Sequence, residues 1–205
     1  MSRLIIIGAG GHGKVVAETA ILMKCWDEIV FADDRFPDLA SIGAWPVVSD
    51  IAKLKSNSGG YHDFIVAIGT NKIRLKIQKS LIEYNLVPVS VIHPSATISP
   101  TASIGIGTAI FANVVINANT SIGDACIINT AASVDHDCNL SDGVHISPGA
   151  HLAGEVSVGK ASWLGIGSSV IQCINIGQDV IVGAGAAAVS DIPNGVVAKG
   201  VPARF

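Results

Sequence analysis

The sequence predicts two folds in succession, a small α/β domain over residues 1–85 and an all-β parallel β-helix over residues 86–205. A strict six-residue repeat of aliphatic side chains predicts the β-helix, because neither the helical period nor strand alternation produces a period of six. A glycine cluster between an aliphatic run and an amphipathic helix predicts the α/β domain. The composition agrees, since 14% charged residues, 49% hydrophobic residues and 22 glycines suit coils with aliphatic interiors and tight corners.

The N-terminal domain shows the alternation of strands and helices that builds a parallel sheet. Strands are expected at Leu4–Ile7, Glu28–Ala32 and Asp63–Ile68, and helices at Lys14–Lys24 and Lys72–Tyr84. This length has room for only one mononucleotide-binding half.

The glycine cluster from Gly8 to Gly13 follows the pattern Gly-x-Gly-x-x-Gly, and Asp33 and Asp34 follow the next strand. Glycines let the backbone approach a phosphate, the helix N-terminus presents N–H groups, and a downstream carboxylate reaches a ribose or base. The pattern favours a nucleotide diphosphate, with a ligand-free turn and a dinucleotide as alternatives. His12 lies where its side chain can reach a phosphate or sugar.

From Ile92 to Val182 every sixth residue is aliphatic, and three such hexads make one triangular coil of 18 residues. Four positions after each aliphatic residue comes a small or β-branched residue. Beyond Val182 the repeat fades, and the C-terminal segment is expected to close that end of the β-helix.

A polar cluster, Asp135, His136 and Asp137, occupies one corner of a coil, where side chains point outward. The cluster is either solvated surface or a histidine that a carboxylate makes more basic, placed to act as a general base. His145 and His151 follow at the ends of their hexads. No two of the three histidines share a column of the coil, so no metal site is predicted.

Residues 18 apart stack along the β-helix axis at a spacing of about 4.8 Å. Ile166 and Ala184 share one such column, next to Gly167 and Gly185, and this strip of small residues suits a long, thin ligand. His136 lies on a different edge of the triangle, so one chain cannot place both features against one ligand. A trimer would bring the two edges together.

Several classes of function are not favoured by the sequence. A net charge of −3 argues against a nucleic-acid surface, and no run of 18 apolar residues predicts a membrane span. The four cysteines show no metal-ligand spacing and no signal peptide is visible, so we expect reduced thiols and a cytoplasmic protein.

The chain resembles the hexapeptide-repeat acyltransferases of the sialic-acid O-acetyltransferase and nucleotide-sugar N-acetyltransferase family, in particular the UDP-4-amino-sugar N-acetyltransferase of the bacillosamine pathway. The resemblance spans the chain and rests on segments such as Gly8-Ala9-Gly10-Gly11-His12-Gly13-Lys14, Phe31-Ala32-Asp33-Asp34, Val134-Asp135-His136-Asp137 and Gly200-Val201-Pro202-Ala203-Arg204. It implies a Rossmann-like first domain, a left-handed β-helix, and a homotrimer with active sites between subunits.

The resemblance also implies roles for individual residues. His136 would be the general base and Asp137 the carboxylate that orients it. Acetyl-CoA would contact His145, Ile166, Gly167, Ala184 and Lys199, with Arg204 near its phosphates. The nucleotide sugar would contact Gly10, Gly11, His12, Asp33, Asp34 and Gly69.

The reaction implied is direct transfer of an acetyl group from acetyl-CoA, as a co-substrate, to the amino group of a UDP-4-amino-4,6-dideoxy sugar in surface glycan biosynthesis. No tightly bound cofactor is implied. A sugar hydroxyl as acceptor and a non-catalytic trimeric scaffold stay open as alternatives, whereas an NAD-dependent enzyme would need a second mononucleotide-binding half.

Overall fold

The computed structural model describes residues 2–56 and 60–205, in two compact units that divide between Pro94 and Ser95. This division lies nine residues beyond the expected boundary between residues 85 and 86. The intervening segment stays with the first unit because Val87 and Pro88 add a strand to its sheet, and the N–H of Ile92 lies 3.2 Å from the sulfur of Met23.

The first unit is a six-stranded sheet with the order β3-β4-β2-β1-β5-β6, parallel except for the β3–β4 pair. Its strands are β1 (Arg3–Ile7), β2 (Glu28–Ala32), β3 (Ser41–Ile42), β4 (Trp45–Ser49), β5 (Asp63–Val66) and β6 (Val87–Pro88). Its helices are α1 (Gly11–Met23), α2 (Ile51–Ser56) and α3 (Asn71–Ile82). In the described part of the chain, none of these helices is long and apolar enough to cross a bilayer.

The central strand β1 organises the core of this unit. Leu4, Ile5, Ile6 and Ile7 are all fully buried, as expected for a parallel strand that is covered on both faces. The predicted strands and helices of this unit are confirmed in position, with ends that differ by a few residues. The sequence interpretation assigned nothing to residues 41–56, where the structure has β3, β4 and α2.

The second unit is a left-handed parallel β-helix built from two-residue strands. After β7 (Val91–Ile92), these are β8 (Thr97–Ile98), β9 (Ser103–Ile104), β10 (Ala109–Ile110), β11 (Val115–Ile116), β12 (Ser121–Ile122), β13 (Ile127–Ile128), β14 (Ser133–Val134), β15 (Asn139–Leu140), β16 (His145–Ile146), β17 (His151–Leu152), β18 (Ser157–Val158), β19 (Trp163–Leu164), β20 (Ser169–Val170), β21 (Asn175–Ile176), β22 (Ile181–Val182), β23 (Ala187–Ala188) and β24 (Val197–Ala198). Each predicted aliphatic residue is the second residue of its strand, and those from Ile110 to Val182 are buried.

The strands form three faces, in each of which paired residues are 18 positions apart. The first face contains β10, β13, β16, β19, β22 and finally β24. The second face contains every third strand from β8 to β23, and the third face contains every third strand from β9 to β21. The closing strand β24 pairs with β22, so the C-terminal segment extends the first face.

The corners between faces are left-handed turns. Every sixth residue from Gly107 to Gly185 has a positive φ, including the non-glycine residues Asn119 (58°), Asp137 (56°) and Glu155 (61°). The backbone N–H of such a residue donates to the coil before it, as from Asp137 to the carbonyl of Ala118 at 2.9 Å. This hydrogen bond helps to offset the steric cost of a left-handed residue that carries a Cβ.

Candidate active site

The imidazole of His136 is oriented by the residue that follows it. Nδ1 of His136 lies 2.8 Å from Oδ2 of Asp137, so the short aspartate side chain does reach the ring. An ionised carboxylate can only accept a hydrogen bond, which assigns the proton to Nδ1 and leaves Nε2 to accept a proton from another molecule. The side chains are 53% and 48% exposed, which leaves the pair accessible to a substrate.

The local charges make this imidazole a stronger base. The hydrogen bond with Asp137 raises the pKa of His136 above its ordinary value, desolvation opposes this, and the negative charges of Asp135, Asp137 and Glu155 add to the increase. The hydrogen bond with His136 also lowers the pKa of the Asp137 carboxyl, with a second contribution from Asn119. The carboxylate therefore stays ionised beside the ring at neutral pH.

Gly154, one coil beyond His136, provides the surface on which the ring rests. A methyl group at Gly154 would clash with Cε1 and Nε2 of His136. Glycine at this position lets the imidazole lie directly against the backbone of the next coil, which limits the orientations of the ring.

A second group of candidate residues lines a cavity of about 420 Å³ at the corner between the first and second faces. Its walls include His145, Trp163, Ile166, Ile181 and Ala184. The structure thus brings together three of the residues predicted for acetyl-CoA, namely His145, Ile166 and Ala184. The lining is largely apolar, and Ile166 and Ile181 are 58% and 43% exposed, which suits a flexible organic chain.

His145 forms a rigid wall of this cavity. It is buried, its ring stacks on Trp163 with a centroid distance of 5.4 Å and an interplanar angle of 3°, and Nε2 lies 3.3 Å from Nδ2 of Asn129. Nε1 of Trp163 donates to the hydroxyl of Ser147 at 2.7 Å. These contacts fix both rings before any ligand binds.

Two further predicted residues lie next to this cavity. Gly167 is the left-handed corner residue after Ile166, and the space above its Cα is open. Lys199 is exposed, and a methyl group at Gly183, which lines the cavity, would come within 3.2 Å of Cγ of Lys199. The backbone of Lys199 pairs with that of Arg204, which fixes the start of the final turn.

Within one chain the structure does not bring the base and the apolar cavity to the same edge. Asp137, beside His136, forms the corner that follows Val134 of the second face, whereas Ile166 and Ala184 follow Leu164 and Val182 of the first face. The two groups therefore lie on different corners of the triangular β-helix.

In the first unit, the glycine loop is packed on one side and open on the other. Gly8 has φ +107°, and a methyl group at Gly13 would clash with the carbonyl oxygen of Gly8, so both positions require glycine for the turn and for helix packing. In contrast, methyl groups at Gly10, Gly11 and Gly69 would meet no protein atom within 4 Å. These three predicted contact residues thus leave backbone accessible to a ligand.

The two predicted carboxylates are engaged in contacts within the unit. Asp33 accepts the N–H of Ala9 at 2.8 Å and the guanidinium of Arg35 at 2.7 and 2.9 Å, and these contacts hold its pKa far below the usual range. Asp34 accepts the N–H of Ile51 at 3.2 Å. Asp33 therefore holds the glycine loop, and Arg35 extends beside it to the carbonyl of Ala9 at 2.8 Å.

His12 lies in the first turn of α1, and Arg74 lies in the first turn of α3. Burial, with a smaller contribution from the charge of Arg74, lowers the pKa of His12 to about 4, so its imidazole is neutral at neutral pH. Arg74 is 1% exposed and donates to the carbonyls of Ile68 and Gly69 at 2.9 and 3.2 Å. The neutral ring of His12 can offer a phosphate a hydrogen bond, while the fixed positive charge nearby belongs to Arg74.

Five residues of these sites were not singled out from the sequence. The 18-residue register of the β-helix could have indicated two of them, because Asn119 precedes Asp137 by one coil and Trp163 follows His145 by one coil. The 18-residue register does not pair the other three with their partners. Asn129 contacts His145 at a separation of 16 residues, Arg35 contacts Asp33 and Ala9, and Arg74 in α3 contacts the carbonyls of Ile68 and Gly69.

Comparison with known proteins links both units to one group. Residues 3–81 match the model of the PglD N-terminal domain. The acetyltransferase domain of PglB from Neisseria gonorrhoeae, solved with acetyl coenzyme A, is 44% identical, with 98% of each chain covered and a TM-score of 0.94. PerB from Caulobacter crescentus, solved with CoA and GDP-perosamine, is 43% identical, with 100% of this chain and 97% of that chain covered and a TM-score of 0.93.

Two other matches are more limited. WeeI from Acinetobacter baumannii is 24% identical with a TM-score of 0.91, which shows that it has the same fold. The Saccharomyces cerevisiae protein YJL218W is 41% identical over 49 residues, and the match spans 24% of this chain and 25% of that protein.

Proposed function

The chain belongs to the nucleotide-sugar N-acetyltransferase family, and we propose from this premise that it transfers an acetyl group from acetyl-CoA to the amino group of a nucleotide-linked amino sugar. The observation that carries the proposal is the His136–Asp137 pair, whose geometry leaves Nε2 as the proton acceptor. The apolar cavity around Ile166 and Ala184 suits the pantetheine arm of the donor.

In the proposed reaction, the sugar nitrogen attacks the thioester carbonyl while Nε2 of His136 accepts a proton from that nitrogen. Asp137 holds the ring and stabilises the imidazolium that forms. The C–S bond then breaks and CoA leaves as a thiolate, which takes a proton from the imidazolium of His136 directly or through water. The acetamido sugar and the CoA thiol are released with His136 neutral again. No covalent acyl-enzyme is needed.

We assign the nucleotide sugar to the first unit. The backbone at Gly10, Gly11 and Gly69 would approach the diphosphate, and His12 would donate a hydrogen bond. Asp33 would act through the loop that it holds, while Asp34 and the exposed guanidinium of Arg35 stand at the position proposed for the ribose or base. The acceptor we propose is a UDP-4-amino-4,6-dideoxy sugar, and the reaction would serve surface glycan synthesis.

We further propose a homotrimer in which the His136 corner of one subunit faces the Ile166–Ala184 corner of the next. Support comes from the separation of these two groups within one chain, because a site assembled from a single chain would lack either the base or the donor cavity. The reaction is proposed to occur in the cytoplasm, which agrees with four free cysteines, two of them exposed.

The decisive experiment replaces His136 by alanine. Loss of a general base lowers kcat by a factor on the order of 10² to 10⁴, and acetyl-CoA affinity should stay near that of the wild type because the cavity is untouched. Turnover would be followed by mass spectrometry with UDP-, GDP- and CMP-linked amino and neutral sugars. An unchanged rate would refute the role of His136, and acetylation of hydroxyl groups alone would refute an amine acceptor.

A further inference from the structure

We propose that Asn119 is a positioning residue for the general base, because its amide holds the carboxylate of Asp137 in the orientation that fixes His136. The inference rests on the proposed function, in which His136 accepts the proton of the sugar amine. Asn119 lies one coil before Asp137 and was not identified from the sequence.

The carboxylate of Asp137 is held at both oxygens. Nδ2 of Asn119 donates to Oδ1 at 3.1 Å, while Oδ2 lies 2.8 Å from Nδ1 of His136. Because an ionised carboxylate has no proton to donate, the amide nitrogen of Asn119 must be the atom that faces it. Any rotation of the carboxylate would weaken both hydrogen bonds.

Asn119 is itself held by the coil before it. Its backbone N–H donates to Oγ1 of Thr101 at 3.0 Å, and that hydroxyl lies 3.0 Å from Oγ of Ser99. Asn119 also has φ +58°, a left-handed conformation that asparagine tolerates better than most residues. The amide therefore extends from a rigid corner toward Asp137.

A second anchor is needed because the pair is exposed. An ion pair between half-exposed side chains contributes little by itself, since water screens it and each side chain loses freedom when the pair forms. With Asn119 in place, the carboxylate is already oriented before His136 gains its proton. The ring is then ready to accept a proton without rearrangement.

Asn113 provides a matched control six residues earlier in the chain. It has φ +60°, and its N–H donates to Oγ of Ser95 at 3.1 Å, so it serves the same corner geometry as Asn119. Its side chain makes no hydrogen bond to the His136–Asp137 pair. Replacement by glycine suits the left-handed backbone at both positions, and therefore removes only the side chain.

The experiment compares Asn119→Gly with Asn113→Gly. In Asn119→Gly we expect kcat to fall about tenfold, a small part of the factor that a general base supplies. The acid limb of the kcat/KM profile should move to lower pH, because a loosened Asp137 raises the pKa of His136 less. Asp135 and Glu155, the other charged groups that face His136, are unchanged in both variants. Acetyl-CoA affinity should match that of the wild type.

NMR titration of the His136 imidazole provides a readout that does not depend on turnover. A titration curve for Asn119→Gly that coincides with that of Asn113→Gly overturns the proposal, even if the rate falls, because a lower rate alone would indicate a structural role. If the wild type acetylates no amino sugar, the proposed function fails, and the NMR comparison still decides the role of Asn119.

Discussion

At the scale of single residues, the two aspartates beside His136 have separate tasks. Asp135 accepts the backbone N–H of His136 at 2.8 Å and the amide of Asn117 at 2.8 Å, so it holds the main chain of the corner. Asp137 binds the ring and so controls its protonation. The sequence Asp-His-Asp looks symmetric, but only the second aspartate contacts the imidazole.

This division predicts the effect of Asp137→Asn on the pH profile. A general base acts in its neutral form, so kcat/KM rises as pH increases through the pKa of His136. The wild-type pKa is raised by the Asp137 carboxylate. Removal of that charge lowers it, so the variant should reach half of its maximal rate at a lower pH than the wild type, while its plateau is reduced because the ring is less basic.

The measurement is kcat/KM for the sugar substrate across the acid range, with saturating acetyl-CoA. Asp135→Asn serves as the control, because Asp135 contacts His136 only through the backbone N–H. The acid limb of its pH profile should therefore move less than that of Asp137→Asn. If the acid limb of the kcat/KM profile for Asp137→Asn coincides with that of the wild type, Asp137 does not control the protonation of the base.

At the scale of an element, the loop from β1 to α1 contains glycines with two different purposes. Gly13 is required by packing, because a methyl group there would clash with the carbonyl of Gly8 and come within 2.9 Å of Phe31. Gly10, at the N-terminus of α1, faces open space and adopts an extended conformation that alanine also tolerates.

Alanine substitutions should separate these purposes. Gly13→Ala is expected to destabilise the protein by about 1–3 kcal/mol, as overpacking does. Gly10→Ala should leave the thermal unfolding temperature nearly unchanged but weaken the binding of UDP or GDP, because the added methyl group occupies space proposed for the diphosphate. Calorimetric titration and thermal unfolding measure the two effects, and normal nucleotide affinity in Gly10→Ala would remove this loop from the proposed site.

The strands of the β-helix were predictable because a six-residue repeat of aliphatic side chains allows only one alignment of each coil on the next. Every predicted aliphatic residue between Ile98 and Val182 ends a two-residue strand, and the interior follows from it. The His136 corner was predictable for the same reason. In the first unit, β4 escaped prediction, since Pro46 within Trp45–Ser49 argues against a strand and the flanking residues show no clear alternation.

Other features depend on contacts that sequence patterns do not contain. Ala125 and Glu155 occupy left-handed corners although neither is a turn former, because a hydrogen bond from each N–H to the preceding coil compensates for the strain. The contact of Asp33 with a ribose or base stays a prediction. Its contacts with Ala9 and Arg35 could not be predicted, because only the folded loop brings these residues within reach.

At the scale of the whole molecule, the proposed trimer has a direct test in mixed assemblies. His136→Ala lacks the base but keeps the apolar cavity, whereas Ala184→Trp fills the cavity but keeps the base. Each variant alone should be inactive. In every mixed trimer, one of the three interfaces combines an intact base with an intact cavity, so purified mixed trimers should recover about a third of the wild-type activity.

The tagged variants would be co-expressed and the mixed species purified through both tags. The control mixes wild type with the His136→Ala, Ala184→Trp double variant, which tests whether mixing itself impairs activity. Failure of the two single variants to restore activity would place the base and the cavity of one site within one chain.

The 18-residue register has a consequence for how substitutions combine. Side chains one coil apart touch repeatedly along the β-helix, as in Ser103–Ser121, Asn117–Asp135, Ser133–His151 and Asp142–Lys160. Non-additive effects in double-mutant cycles arise between residues in contact. If all pairs of substitutions in this unit were measured and plotted as a residue-by-residue matrix, the strong non-additive effects should therefore lie along a line parallel to the diagonal, at a separation of 18 residues. Residues one coil apart would then constrain each other's evolution more than neighbours in sequence do.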